Sequence, residues 1–293
     1  MINALLPLLL ALPVSSAPID SPKASQKLDY ETFARLHARL LDKDTAKQLE
    51  DKLPHLRKNL KIAEQVSAKY WTSCTVFDEL AKAEILPEKA MSGLGIRREV
   101  TSGVAHSQAG VMHTYGYLFS QLKTAYGLKG KRWIESRLDE RLGLPAGTFS
   151  PLTTDGEFAS NLTSALLQLI GISEKVPHAA KLKPAAKALG HIEQRVTWKT
   201  PAGKTVQASV FTYLVPLAPL PGFETTDHYL LIYKVLRDRR HRFTTAFPIG
   251  QGFADGIMGT KPDAEPVFKP RFNLYVDPAL TVTAQENLGW RAD

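Results

Sequence analysis

The chemistry-bearing side chains crowd most closely between Thr101 and Trp133, where His106, His113, Tyr115, Tyr117, Ser120 and Tyr126 occur. A helix drawn from Val111 to Thr124 at about 100° per residue separates them into two faces. Val111, Tyr115, Leu118, Phe119 and Leu122 gather on one side; His113, Tyr117 and Ser120 gather on the other at i, i+4 and i+7. His106 stands seven residues before His113 and would join the polar face if the helix reached back that far, although Gly110 interrupts. Two imidazoles in one site can serve as base and acid, one accepting a proton while the other donates, as phosphodiester cleavage requires. His106 and His113 are therefore the candidate catalytic pair, and Tyr117 the candidate orienting group. Ser120, Lys129 and Arg132 are the candidate substrate-binding residues, the two cations being able to hold an anion as charge develops. The same spacing also describes the solvated face of an amphipathic helix, in which Gly116 permits close packing. The sequence leaves both readings open.

A second candidate runs from Thr244 to Gly259, TTAFPIGQGFADGIMG. It reads as a strand entering a glycine-rich loop. Gly250, Gly252, Gly256 and Gly259 allow backbone shapes that other residues resist. Successive N–H groups of such a loop can bind an anion, with Asp255 as a polar partner. Turns or bulges are the ordinary alternative.

Other routes lack sequence support. There is no HExxH, no cysteine pair and no acidic cluster with metal-ligand spacing. There is no Gly-x-Ser-x-Gly, P-loop or dinucleotide fingerprint. The expectation is a protein without metal or cofactor. His178, His191, Asp227, His228 and His241 are too dispersed to define a site. Cys74 is the single cysteine, so an internal disulfide is excluded, and a small buried residue is the ordinary reading of it.

Compartment and charge narrow the partners. Met1 to Ala17, MINALLPLLLALPVSSA, reads as a secretory signal peptide. Its apolar run from Leu5 to Val14 is shorter than the roughly 20 residues a membrane span needs. Ser15 and Ala17 suit the −3 and −1 cleavage subsites, so cleavage is expected after Ala17. No later segment is apolar enough to span a membrane. The expected location is secreted or periplasmic. Net charge is +8, which favours anionic surfaces and polymers, nucleic acid among them. Basic residues cluster at Lys129–Arg132 and Arg237–Arg242.

The elements that must position these residues change character along the chain. After the signal segment 1–17 and a polar leader 18–27, helical spacing dominates from 28 to 190. Phe33, Leu36, Leu40 and Leu41 share a face, as do Leu56, Leu60, Ala63, Val66 and Tyr70. Ser73 can cap a helix through Val76, Phe77 and Leu80. Thr154 and Glu157 form a capping-box pattern ahead of a broadly apolar helix, Phe158 to Ile170, closed by Gly171. From 191 to 293 the period becomes alternating. Strands are expected over His191–Lys199, Lys204–Val215, His228–Leu236, Arg240–Ile249 and Arg271–Val276, with Thr200–Gly203 and the basic Arg237–His241 segment as hairpin tips. The expected fold is α+β: a helical amino-terminal half packed on a carboxy-terminal antiparallel sheet of about five strands, in one domain or two.

Two function classes follow. One is a secreted hydrolase acting on an anionic, phosphodiester-like substrate through His106 and His113. The other is a non-catalytic envelope protein binding an anionic polymer or lipid through basic patches.

Overall fold

The structure, a computed structural model, describes residues 135–145, 148–149, 158–200, 202–264 and 281–293. It also describes Lys47, Asp51, Val66, residues 69–71 and four two-residue strands: β1 (Phe77–Asp78), β2 (Ala83–Glu84), β3 (Lys123–Thr124) and β4 (Gly127–Leu128). Three helices and five longer strands follow in chain order: α1 (Leu138–Arg141), α2 (Phe158–Leu169), β5 (Gly190–Lys199), β6 (Thr205–Pro216), β7 (Asp227–Arg237), β8 (Arg240–Gly250), α3 (Gln251–Met258) and β9 (Thr281–Ala292).

The long strands form one antiparallel sheet in the order β8-β7-β6-β5-β9. Four of them coincide with the expected strands to within a residue at either end, because alternation and turn chemistry are local signals. The fifth does not. Arg271–Val276 lies outside the described residues, and the strand that pairs with β5 is β9, Thr281–Ala292.

The helical amino-terminal half is a correction. The described residues are 22% helical and 42% strand, a five-stranded sheet with few helices, and do not support a helical half. β1 pairs with β2 where a helix capped by Ser73 was expected through Phe77. β3 occupies the end of the expected helix Val111–Thr124 and pairs with β4. The physical reason is ambiguity of period. Thr75, Val76 and Phe77 are strand formers, and a short apolar run satisfies either spacing. Cys74 lies outside the described residues.

Both faces of the sheet are covered over part of their area. On one face lies α2, whose Phe158, Leu162, Ala165, Leu166 and Leu169 are fully buried. They join Tyr213, Val215, Leu230, Ile232, Phe243 and Ala246 in the main core. This is the helix that the capping-box pattern announced. Its end forms a Schellman pair, Ile172 N–H to Leu167 O at 2.8 Å and Gly171 N–H to Gln168 O at 3.0 Å, with Gly171 at φ 76°. Trp71 closes the β8 edge by bridging Phe243 in parallel. Its indole N–H donates to Thr163 Oγ1 of α2 at 2.7 Å, and its ring lies 5.5 Å from that of Phe243. On the opposite face α3 packs Ala254 and Ile257 against Ile192, Leu214, Leu231 and Ile249.

Candidate functional site

Strand register brings together residues that are far apart in the chain. On the α2 face, three rows cross the sheet: His191, Tyr213 and Ile232; then Glu193, Phe211 and Lys234; then Arg195, Ser209 and Leu236. Because side chains alternate along a strand, every second residue contributes to this face. In the first row Tyr213 and Ile232 belong to the core, and His191 at its β5 end is partly exposed. The last opens into a groove of about 560 Å³ lined by Arg195, Thr197, Gln207, Ser209, Leu236 and Glu286. The middle row lies between them.

Lys234 occupies the middle row and is only 3% exposed. Its ammonium donates to Tyr213 Oη at 3.0 Å. It lies 4.6 Å from the centre of the Phe211 ring and 5.1 Å from that of Tyr213. Among the described residues no carboxylate stands within ion-pairing distance of it. Burial therefore pulls the amine down to about 8, against a weaker opposing pull from the Asp293 charge. Burial likewise pushes the Tyr213 phenol well above its ordinary range. The His191 ring lies 5.1 Å from Tyr213 and 5.7 Å from Phe211, with Nδ1 3.0 Å from Asp293 Oδ1. On β8, partial desolvation of a ring that still reaches solvent, together with the neighbouring Lys234 charge, lowers His241.

Glu286 lines the groove, and Glu193 lies in the neighbouring row. Glu193 Oε1 accepts from Ser209 Oγ at 2.9 Å and from Arg195 Nε at 3.1 Å. Burial works against its charge, but these two donors outweigh burial and hold the carboxyl below its ordinary range. Arg195 also reaches Glu286 Oε2 at 3.5 Å. The arginine is thus bracketed by two acids, and the groove floor is polar and nearly balanced.

The balance is lost at the groove's rim. Arg237 pairs with Arg240 across a two-residue turn, and Arg237 and Asp238 border the groove. Asp238 and Arg239 both take positive φ, 51° and 61°, as a type I′ turn requires. Asn-Gly or Gly-Gly meets that requirement with little strain; an arginine there is disfavoured by roughly 1 kcal/mol or more. Asp238, Arg239, Arg240 and His241 are exposed, so the turn is a solvated projection carrying more positive than negative charge.

The sequence-derived site residues fare differently. His106, His113, Tyr117, Ser120, Lys129 and Arg132 lie outside the described residues. Gly250, Gly252 and Asp255 are described, and they correct the glycine-rich loop: the segment is helix α3. Gly250 is extended at φ −82° and ψ 169°, and a Cβ there would meet Thr226 O at 2.8 Å, so the glycine serves a close backbone approach. Gly252 lies in the first turn. The Asp255 carboxylate accepts from Gln251 Nε2 at 2.7 Å along the helix. The N–H groups from Asp255 onward can bond within the helix, and those of its first turn have no partner within it.

The Lys234 array was missed because its members come from four strands and the carboxy-terminal Asp293. One signal was available. In Asp227-His-Tyr-Leu-Leu-Ile-Tyr-Lys-Val-Leu-Arg237, Lys234 is the one charged residue inside an apolar run. A lysine in a strand covered on both faces needs a special environment. A further buried polar cluster is internal to the fold: Ser136 Oγ donates to Asp227 Oδ2 at 2.6 Å, and Arg141 Nε donates to Ala218 O at 2.9 Å, tying the α1 region to β7 and to the chain after β6.

Among the described residues, no group of three or more His, Cys, Asp or Glu is placed to hold a metal ion. Among the same residues, no helix is long and apolar enough to cross a membrane. No family model, no curated protein and no solved structure matches the chain.

Proposed function

We propose that this is an exported protein that binds an anionic polymer through the β7–β8 tip and the rim of the adjoining groove. One observation carries the reading: Arg239 holds a left-handed backbone position where glycine would fold more comfortably. A costly residue on an exposed turn calls for a use outside folding stability. Here the side chain adds a cation to a segment that also carries Arg237, paired with Asp238 at 3.4 Å, and Arg240 and Arg242, and guanidinium groups suit phosphate or sulfate. The net charge of +8 would assist encounter over a longer range.

The test separates stability from binding in one substitution. Arg239→Gly relieves the turn and is expected to raise stability by about 1 kcal/mol in urea unfolding. The same change removes a phosphate contact. Binding to double-stranded DNA, used as a polyanion of known charge density, is expected to weaken several-fold, with the salt slope reduced by about one. Unchanged affinity and slope would defeat the reading, whatever the stability.

Export rests on the Met1–Ala17 pattern. It predicts that Edman sequencing or mass spectrometry of protein recovered outside the cytoplasm finds a mature chain beginning at Pro18. A chain retained inside the cell with residues 1–17 intact would contradict it. The hydrolase reading, with His106 and His113 as acid and base, stands on sequence spacing alone.

A further inference from the structure

We infer that Lys234 is a reactive amine placed to condense with a small carbonyl compound arriving through the groove. The inference is independent of polyanion binding at the tip.

The geometry meets the needs of such a site. The amine is buried between two aromatic rings and is held by one hydrogen bond, to the Tyr213 hydroxyl. Among the described residues it has no carboxylate partner to keep it permanently charged. A lysine desolvated in an apolar pocket is activated as a nucleophile because its neutral form becomes accessible near neutral pH. With the amine titrating at about 8, about one tenth is neutral at pH 7, against well under a thousandth of an ordinary lysine. The groove begins one row away from the amine. Leu236 lines it and follows Lys234 by two residues on the same face; Ser209 lines it and precedes Phe211 by two. Leu236 and Phe211, both half-buried, stand between the amine and the groove, and a small ligand must pass them to reach it.

The groups facing Lys234 can manage the protons. They are Tyr213 on β6 with His191 of β5 against its ring, His241 on β8 and Asp293; Glu193 lies beyond Phe211 in the same row and is bonded to Ser209 and Arg195. The neutral amine attacks the carbonyl carbon, and the carbonyl electron pair takes up a proton to give a carbinolamine. Loss of water then leaves a protonated imine. From the ammonium form the exchange is one carbonyl oxygen out as water and one carbon–nitrogen double bond formed, with no redox change. Tyr213, hydrogen-bonded to the nitrogen, is placed to relay the proton.

The test uses the full chain with glyoxylate as the probe and sodium borohydride to trap the imine, followed by peptide mapping. Exposed Lys181, Lys183, Lys199 and Lys204 are controls within the same molecule. At pH 7 Lys234 is expected to be trapped at least about ten-fold faster than any of them, with a rate that levels off near pH 8. In Tyr213→Phe the midpoint is expected to move lower, because the phenol oxygen accepts a hydrogen bond that favours the ammonium. Trapping of Lys234 no faster than the exposed lysines, or none at all in the folded protein, overturns the inference. An unchanged midpoint in Tyr213→Phe removes the phenol from it.

Discussion

Gly190→Ala is expected to destabilise the protein by about 3 kcal/mol or more, with the damage centred on β9. A Cβ at this position would stand 2.1 Å from Arg291 O and 2.8 Å from Ala292 Cα. Neither is the tip of a flexible side chain; both are backbone of the neighbouring strand. The strand must therefore move. Movement breaks the pairing of Gly190 with Ala292 and of His191 with Arg291. It also strains the Asp293 N–H bond to Leu189 O, 3.0 Å long, and the adjacent contact of Asp293 with His191. Urea unfolding gives the loss of stability, and amide exchange locates it: protection should fall along β9 before it falls in β6 or β7. Gly171→Ala supplies the comparison. Gly171 also has positive φ, but nothing lies within 4 Å of its added Cβ. Only left-handed strain applies there, about 1 kcal/mol. Equal effects at the two positions would mean that the approach of β9 to Gly190 is not what demands glycine.

Lys234→Met is expected to stabilise the protein at pH 7 by about 2 kcal/mol, and to remove a pH dependence at the same time. The folded amine titrates at about 8 from an ordinary value of 10.5. Between those values the unfolded chain holds its proton while the folded chain has released it, so stability rises with pH. Across the window the gain is about 3 kcal/mol. Below pH 8 both states are protonated, and the folded protein carries the full cost of a buried cation. Methionine fills similar space without charge and relieves that cost. It also deprives the Tyr213 hydroxyl of its lysine partner, which returns about 1 kcal/mol. Urea unfolding from pH 7 to 11 checks both statements: the wild-type curve should climb through this window, and the variant should lose that climb. A variant less stable than wild type at pH 7 would show that the buried ammonium is compensated by contacts stronger than one phenol and two rings. A destabilising residue kept at the end of a core is consistent with selection for its chemistry, as the trapping experiment tests directly.

The legibility of this fold in its sequence varied with the range of the forces involved. The strands β5 to β8 were readable because Val206, Ala208 and Val210 alternate with Phe211 and Tyr213, and because Thr200–Gly203 and Arg237–Arg240 carry turn chemistry. Helix α2 was readable because a capping pair precedes a broad apolar face and a glycine follows it. The amino-terminal helices were misjudged around Phe77 and Thr124, where short apolar segments satisfy helical and strand periods alike. The glycine-rich segment after β8 was misjudged for the opposite reason. Its glycines signalled irregular backbone, but Phe253, Ala254, Ile257 and Met258 had a hydrophobic surface to cover, and that burial outweighed the glycine penalty.

The candidate site shows the same division more sharply. The basic tip is contiguous in the chain, so its charge was visible before its shape was. Its left-handed backbone, which makes Arg239 informative, emerged only from the folded hairpin. The array around Lys234 joins β5, β6, β7, β8 and the last residue of the chain, and no sequence spacing relates them. What the sequence by itself determined is where the strands β5 to β8 run, where α2 lies and how the charge is distributed, since periodicity, caps and turns act within a few residues. Only the tertiary structure decided which strand completes the sheet, that α3 is a helix and that a lysine is buried beside a tyrosine and a histidine. Those outcomes depend on register and on desolvation by distant segments, and neither exists until the chain has packed.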